Sequence, residues 1–243
     1  MQRRTRMHRP ARILGILIAL ASFLTLAGSL PGIGVARQQR GIQNGPEFDQ
    51  LTAANGSIHD SSLRAFKGSR SMRATYDGNG ANGYARGLFR VHWRRGETIH
   101  YTASYFLPRG FHDAMQGQVA LMRWDNWPRH ESRGDNGGIV IYGSDKRARL
   151  VRGHYYGGQK SLGRSFRLPE GRWFTLSVRQ RLSTKRPRSR VRLDGDTVMT
   201  SSRADFYGRS LDRIRYGIVA IGAGKQHHPL GLWLDEASKH ATH

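Results

Sequence analysis

The chain has 243 residues, enough for one domain preceded by a leader segment. It contains no cysteine, which excludes disulfides, thiolate metal sites and cysteine nucleophiles, and its formal net charge is +23. Residues 1–36 hold five arginines and no acid, so +18 remains in the rest of the chain. The folded part is therefore itself basic, and we expect its partner to be anionic.

Residues 1–36 have the pattern of a secretory signal. Five arginines precede an uncharged run from Ile13 to Ala36, and Gly34-Val35-Ala36 offers a small-x-small exit. We expect one apolar helix over about residues 12–30, long enough to span a bilayer if it is not cleaved. The protein is thus expected to be extracytoplasmic, either secreted or anchored to the cell membrane. Residues 37–46 are polar and turn-rich, which is typical of a linker.

Residues 47–243 show short alternations and no convincing long helix. The alternation is clearest at Thr98–Leu107, with Tyr101 and Tyr105 on one face, and at Trp173–Gln180, with Phe174 inside. Further strands are predicted at Ser71–Tyr76, Tyr84–Trp93, Gln118–Trp124, Gly138–Tyr142, Val191–Leu193, Thr197–Thr200, Ile214–Ile221 and Leu230–Leu234. The predicted core comprises Tyr101, Tyr105, Leu121, Phe174, Leu176, Val178, Val191, Leu193, Ile214, Ile218 and Leu234. This pattern predicts an all-β, two-sheet antiparallel sandwich.

Several segments, in order, resemble motifs of one superfamily. They are Lys67–Arg73 ("G-x-x-S-L/M-R"), Gly96–Pro108 ("G-E…Y-x-x-Y-F-L-P"), Gly171–Trp173 with Val191–Gly195 ("G-x-W … V-x-L-D-G") and Leu232–Glu236 ("L-Y-L-D-E/D"). Residues 47–237 are thereby similar to the concanavalin A-like, or laminin-G-like, jelly rolls. The resemblance implies a jelly-roll sandwich that handles carbohydrate.

Within that superfamily, the heparin-lyase-I-like and alginate-lyase-like polysaccharide lyases are the most similar branch. Gln118–Asp125 resembles its "I-L-A-Q-W-H" strand, with Arg123 and Asp125 where the branch has glutamine and histidine. Ile214–Val219 resembles its "Y-F-K-x-G-I-Y" motif, with Val219 at the catalytic tyrosine position. These departures make binding of an acidic polysaccharide the leading interpretation and lysis of a uronate-containing glycan the alternative.

A uronate lyase needs a group that neutralises the carboxylate, a base that removes the neighbouring proton and an acid that protonates the leaving oxygen. Six residues suit these roles: Arg90, Gln118 and Arg123 for neutralisation, His154 or Tyr156 as base, and Tyr142 as acid. The alternative for the Gly153–Gly158 segment is commoner in β-proteins: a tyrosine that covers the core and a histidine in a surface loop.

Two further groups are candidates for carbohydrate contact. Trp124 and Trp127 would form a stacking platform, unless Trp124 fills the core and Trp127 covers a loop. Arg179, Arg190 and Arg192 occupy outward strand positions and would present a row of guanidinium groups to repeated carboxylates or sulfates. If this row lies in or beside a groove with Arg90, Arg123 and Tyr156, the groove is the glycan site; if it lies on the opposite sheet, it is solubilising charge only.

Asp235 is placed where related sandwiches often hold a structural calcium, with Glu47 or Asp49 as the second acid. No cofactor is required by the chemistry above, and a monomer is expected. The leader could attach the protein to a membrane. A third interpretation, from another class, is a basic envelope protein that binds anionic lipid or nucleic acid by charge alone, with nucleic acid the less favoured partner.

Overall fold

A computed structural model describes residues 46–78, 82–125, 137–153, 159–183, 185–203, 210–221 and 228–242. The leader, with its expected helix, and the linker up to residue 45 lie outside these residues, as do Trp127, His154 and Tyr156. Within the described part of the chain, no helix is long and apolar enough to cross a membrane.

Two antiparallel sheets of seven strands each make up the fold. Sheet A contains, in spatial order, β1 (Gln50–Ala54), β4 (Asn82–Arg94), β13 (Ser210–Ile221), β6 (Gln118–Asp125), β7 (Gly137–Tyr142), β8 (Arg147–Arg152) and β9 (Lys160–Ser161). Sheet B contains β12 (Asp196–Ser201), β11 (Arg188–Leu193), β10 (Trp173–Arg181), β5 (Thr98–Phe106), β14 (Leu230–Thr242), β3 (Ser71–Tyr76) and β2 (Gly56–Ser61). The predicted all-β jelly-roll sandwich is confirmed.

The core lies between the two sheets and uses one face of each strand. Ten of the eleven predicted core residues are buried, and Leu193 is partly buried against the same cluster. In β5, Tyr101 and Tyr105 face inward, and the hydroxyl of Tyr105 donates a hydrogen bond to the carbonyl oxygen of Leu121 at 2.9 Å. Burying large aromatic side chains with their polar ends satisfied stabilises a sandwich that has no disulfide.

One hairpin turn follows directly from its sequence. Asp194 and Gly195 join β11 to β12, with φ angles of 52° and 90°. A two-residue turn with both φ angles positive matches the right-handed twist of the flanking strands, and Asp-Gly is a preferred pair for it. The turn fixes the register of the two strands, which pair from Leu193 with Asp196 onward.

The structure contains elements that the sequence did not predict. One is a four-residue helix, α1 (Phe111–Ala114), which follows β5. The others are the strands β1, β2, β8 and β9 at or near the sheet edges. They are short or polar, and β8 alternates arginine with apolar residues. Only β4, β13, β6, β7 and β8 carry the candidate site described next.

Candidate functional site

The outer face of sheet A, which points away from sheet B, carries three arginines at its centre. Arg86 lies between the inward-facing Ala85 and Gly87 in β4. Arg215, in β13, is the direct cross-strand partner of Arg123 in β6. The adjacent order of these strands therefore brings the three guanidinium groups to one part of the sheet.

Two β-bulges set this arrangement. The register shifts between Ala120 and Met122 on β6 and between Tyr216 and Val219 on β13. A bulge inserts an extra residue and reverses which side chains face the core after it. As a result, Met122 and Trp124 join the core on β6, while Arg123 faces outward.

A single carboxylate, that of Asp125, lies among the arginines. Arg215 Nη1 forms an ion pair with Asp125 Oδ2, and Arg123 Nε lies 4.0 Å from the same oxygen. The side chains are buried, with exposed fractions of 3% for Asp125, 8% for Arg215 and 10% for Arg123. We call Arg86, Arg123, Arg215 and Asp125 the arginine cluster. Within this cluster of described residues, guanidinium groups outnumber carboxylates three to one.

The positive charges of the arginine cluster affect the ionisation of Arg86 most clearly. Burial, followed by the charges of Arg215 and Arg123, lowers the pKa of Arg86 to about 10. Its guanidinium stacks over the ring of Tyr84 at 4.1 Å, and its Nε donates to Thr52 Oγ1 at 3.4 Å. A lowered arginine pKa means that the folded protein disfavours this cation, and a bound anion would relieve that cost.

An apolar strip adjoins the arginine cluster on the same face. Its residues are Ala120, Val140, Val151, Val219 and Ile221, with Tyr84 and Tyr142 packed against them. Ligand sites in general combine apolar and aromatic side chains with a few polar groups, as this strip does with its tyrosines and the neighbouring arginines.

Tyr142 and Gln118 are cross-strand partners on this face. The hydroxyl of Tyr142 donates to Gln159 Oε1 at 2.8 Å, and Arg149 lies 4.4 Å from the ring centre. Burial is the main cause that raises the pKa of Tyr142, so its hydroxyl stays protonated at neutral pH. Gln118 Oε1 is buried with no hydrogen-bond partner among the described residues, and it remains available to a donor.

The structure brings together some of the predicted catalytic residues. Gln118, Arg123 and Tyr142 share the outer face of sheet A, and their catalytic roles stay predictions. Arg90 also lies in sheet A, on β4. Its side chain is exposed and forms no ion pair with a described residue. His154 and Tyr156 belong to the undescribed residues 154–158, and their roles stay predictions.

Arg86 and Arg215 are functional candidates that the sequence did not identify. Arg215 occupies the lysine position of the "Y-F-K-x-G-I-Y" motif, which could have indicated it. Arg86 gave a weaker signal, a lone arginine between small residues in a predicted strand. The placement of both arginines in the cluster depends on which residues of neighbouring strands are paired, and the sequence alone does not provide this register.

The predicted stacking platform needs correction at Trp124. Its side chain is buried in the core, 5.8 Å from the ring of Tyr101 and against Gly137. The bulge on β6 turned it inward, so it cannot contact a ligand on the surface. Trp127 lies outside the described residues.

The predicted row of arginines is not beside the arginine cluster. Arg179 is on β10, and Arg190 and Arg192 are on β11, all on the outer face of sheet B. Arg123 is on sheet A, so the two groups occupy opposite sheets of the sandwich. The alternative in which the row of arginines and Arg123 line one groove is therefore wrong. The chain passes from sheet A to sheet B after β6 and before β10.

Asp235 makes contacts that do not match a calcium ligand. Its Oδ2 accepts hydrogen bonds from the backbone N–H groups of Phe66 and Lys67 at 3.0 and 3.2 Å, and its Oδ1 accepts from Glu236 at 2.8 Å. Glu47 is exposed ahead of β1, and Asp49 accepts a hydrogen bond from the Arg90 backbone. No three acidic or histidine side chains of the described residues come together as a metal site. Asp235 instead holds the loop of residues 62–70.

Comparison with known proteins identifies the fold. No family model and no curated protein sequence matches the chain. Among solved structures, the cellulose-induced protein Cip1 matches with a TM-score of 0.58 and 14% identity, over 78% of this chain and 87% of that one.

Two other solved structures are similar at a comparable level. An alginate lyase from a Chlorella virus matches with a TM-score of 0.52 and 11% identity, over 74% of this chain and 88% of that one. The globular domain of T. cruzi calreticulin matches with a TM-score of 0.52 and 11% identity, over 78% and 83%. At these identities the likeness concerns the fold, and the chain has the jelly-roll fold that a polysaccharide lyase also uses.

Proposed function

We propose that the protein binds an acidic polysaccharide on the outer face of sheet A. One observation carries this proposal: three arginines from adjacent strands meet around Asp125 on one face, and burial with the charges of Arg215 and Arg123 lowers the pKa of Arg86 to about 10. A carboxylate of a uronate residue would accept hydrogen bonds from the planar guanidinium groups and would reduce their mutual repulsion.

The surroundings of the arginine cluster favour a sugar polymer over a simple anion. Tyr84, which is half-buried, offers a ring for the carbon face of a sugar, and Gln118 offers an amide for hydroxyl groups. Proteins of the same fold are named for alginate lysis and for induction by cellulose, which fits a carbohydrate ligand. The leader, if it directs export, would bring the domain to such polymers outside the cytoplasm.

Lysis of a uronate-containing polysaccharide is the second candidate. Tyr84 is the cross-strand partner of Val219, the position where the lyase resemblance expects a tyrosine. A tyrosine hydroxyl is thus available from the neighbouring strand, next to arginines that could neutralise a uronate carboxylate. In a β-elimination the base removes the proton next to that carboxylate, the C–O bond to the leaving sugar breaks, and an acid protonates the leaving oxygen.

A panel of polysaccharides tests both candidates. The full chain is titrated with alginate, heparin and a neutral glucan at low and moderate salt, and the same mixtures are followed at the absorbance of an unsaturated uronate product. Binding to the charged polymers that weakens with salt, with poor binding of the glucan, would support the proposal, because exposed charges are screened within about 8–10 Å. Equal affinity for charged and neutral chains would overturn it.

The absorbance measurement separates binding from lysis. An increase in absorbance with the wild type would show that the protein cleaves the polysaccharide. Loss of that increase in Tyr84→Phe would give Tyr84 a role in the cleavage. Binding without any increase in absorbance would leave the protein a binding domain.

A further inference from the structure

The outer face of sheet B carries five arginines on two neighbouring strands. Arg179 and Arg181 lie on β10, and Arg188, Arg190 and Arg192 lie on β11. All five alternate with residues that point to the core side, such as Val178 and Val191. We call these arginines the sheet B basic face. It lies on the opposite side of the sandwich from the arginine cluster.

Strand register arranges the basic face in rows. Arg190, Arg179, His100 and His240 are cross-strand partners in sequence across four strands. Arg188 and Arg181 pair in the next row, whose third member is Thr98. Neighbouring strands lie about 4.8 Å apart, and residues two apart on a strand lie about 6.8 Å apart. The guanidinium groups therefore form a two-dimensional array that can contact several anionic groups of one polymer.

A cavity opens on this array. It has a volume of about 500 Å³ and is lined by four of the arginines and by hydroxyl side chains. Its lining residues are Thr98, Arg179, Arg181, Arg188, Ser189, Arg190, Thr200, Ser201 and Ser202. A smaller cavity of about 100 Å³ continues from Arg179 and Arg190 to Arg192 and His100. Both cavities are polar, and apart from the histidine none of the described residues that line them has an aromatic or large aliphatic side chain.

The charge of the basic face is not neutralised within the described residues. None of the ion pairs among them involves any of the five arginines. Arginines elsewhere in the fold are paired, as Arg172 is with Asp194 at 2.8 Å and Arg215 is with Asp125. The face therefore combines concentrated positive charge, hydroxyl groups and a concave surface.

We propose that the sheet B basic face is a second binding site, for a carboxylated or sulfated polysaccharide. Guanidinium groups bind carboxylates and sulfates with paired hydrogen bonds, and the serine and threonine hydroxyls suit sugar hydroxyls. Solubilising charge alone would not require a cavity. Because the arginine cluster is on the other sheet, the protein would connect two polysaccharide chains, and this bridging part rests on the proposed function of sheet A.

Two other anionic partners fit the face less well. Binding to an anionic membrane combines charge with an apolar surface that enters the lipid, and the described residues that line these cavities offer none. Single-stranded nucleic acid is held by aromatic side chains that stack on bases, and His100 is the only aromatic ring among those described residues. Phosphatidylserine vesicles and single-stranded DNA are therefore competing probes in the test.

The test compares four versions of the full chain. They are the wild type, the sheet B variant Arg179→Gln/Arg190→Gln, the sheet A variant Arg86→Gln, and the control Lys67→Gln/Arg167→Gln. The control removes the same two positive charges from exposed positions outside both surfaces. Circular dichroism establishes that each is folded. Affinity for alginate and heparin, and light scattering by mixtures with long chains, are then measured at about 0.15 M ionic strength.

We expect the sheet B variant to bind one of the two polymers at least about tenfold more weakly than the control and to lose the scattering caused by bridged chains. The sheet A variant should lose the scattering too, but retain binding through sheet B. A sheet B variant that binds and scatters like the control would overturn the proposal. So would tighter binding of vesicles or DNA than of either polysaccharide, if it is lost in that variant.

The two proposals fail in different ways. If Arg86→Gln abolishes polysaccharide binding and the sheet B variant changes nothing, the second site is wrong and the function of sheet A stands. If the sheet B variant abolishes binding and Arg86→Gln changes nothing, the second site stands and the function of sheet A is wrong.

Discussion

Asp125 and Arg215 form an ion pair between neighbouring strands, on a face of the sandwich where two more arginines lie close by. Burial, followed by the charges of Arg215 and Arg123, lowers the pKa of Arg86 to about 10, so the folded protein disfavours the Arg86 cation. We therefore propose that Arg86 serves binding at the expense of stability.

This trade-off predicts opposite effects of one substitution. Arg86→Gln should raise the free energy of unfolding by about 1–2 kcal/mol at neutral pH, because it removes a cation that the folded protein disfavours. The sign follows from the lowered pKa: the unfolded chain holds this proton more tightly, so stability rises as the pH rises from about 10 toward the ordinary pKa of arginine. Urea unfolding of both proteins measures the change, and a loss of stability would contradict it.

The ion pair itself should behave as a buried pair. Arg215→Leu should lower the free energy of unfolding by about 3–5 kcal/mol, since it leaves the Asp125 carboxylate buried beside fewer partners. The double variant Asp125→Leu/Arg215→Leu should be more stable than Arg215→Leu, because no charge is left without its partner. Guanidinium unfolding of the three proteins checks this. A double variant that is no more stable than Arg215→Leu would contradict the assignment.

Gly217 is required where β13 passes Arg86. Its φ is 135°, and a Cβ there would overlap the carbonyl oxygen of Ala85. Gly217→Ala should lower the free energy of unfolding by at least about 2 kcal/mol and weaken binding, because β4 must move. Gly231→Ala is the control: a Cβ there would meet no atom closer than 3.7 Å. Equal effects of the two substitutions would contradict this interpretation.

We expect Asp235 to stabilise a loop and not to bind a metal. Its carboxylate holds the 62–70 loop, in which Phe66 packs 5.7 Å from the ring of Trp173. Asp235→Ala should speed proteolysis of this loop and shift tryptophan fluorescence to longer wavelength, as Trp173 becomes more exposed. Removing calcium with EDTA should leave the thermal midpoint unchanged. A midpoint that falls with EDTA and recovers with calcium would restore the metal interpretation.

The stacked histidines beside the basic face should make stability depend on pH. The rings of His100 and His240 lie 4.6 Å apart, and burial, His240 and Arg179 lower the pKa of His100. Between this lowered pKa and about 6.5, the unfolded chain binds more protons, so stability should fall as pH falls through that range.

Two variants separate this effect from general acid destabilisation. His100→Gln should flatten the decrease in stability, and His59→Gln, at an exposed position on β2, should not. Thermal midpoints from pH 7.5 to about 5 provide the comparison. Equal slopes for wild type and His100→Gln would contradict the prediction.

Alternation and turn residues predicted the framework of the fold. The strand at Thr98–Phe106 and the Asp194-Gly195 hairpin follow from local patterns, because one face of each strand must be buried. The strand at Gly56–Ser61 escaped prediction because its side chains are largely polar, whereas Arg147–Arg152 alternates arginine with apolar residues, a signal that the prediction missed. Both strands pair with a strand nearby in the chain, Gly56–Ser61 with Ser71–Tyr76 and Arg147–Arg152 with Gly137–Tyr142.

The candidate site was less predictable, for a physical reason. Simple alternation along Gln118–Asp125 places Trp124 outward and Arg123 inward, whereas the bulge after Ala120 reverses both. The grouping of Arg86 with Arg215 also needs the register of β4 and β13, which are more than a hundred residues apart. Charge composition predicts an anionic partner, but it does not indicate which sheet holds which arginines.

The affinity of the wild type and of Arg86→Gln for alginate, measured by calorimetry at low and moderate salt, tests the central claim most directly. The account predicts that Arg86→Gln binds at least about tenfold more weakly to the sheet A site, while its stability is equal or higher. Lys67→Gln, which removes one exposed charge elsewhere, should bind like the wild type. An affinity of Arg86→Gln equal to that of Lys67→Gln, with both proteins folded, would contradict the account.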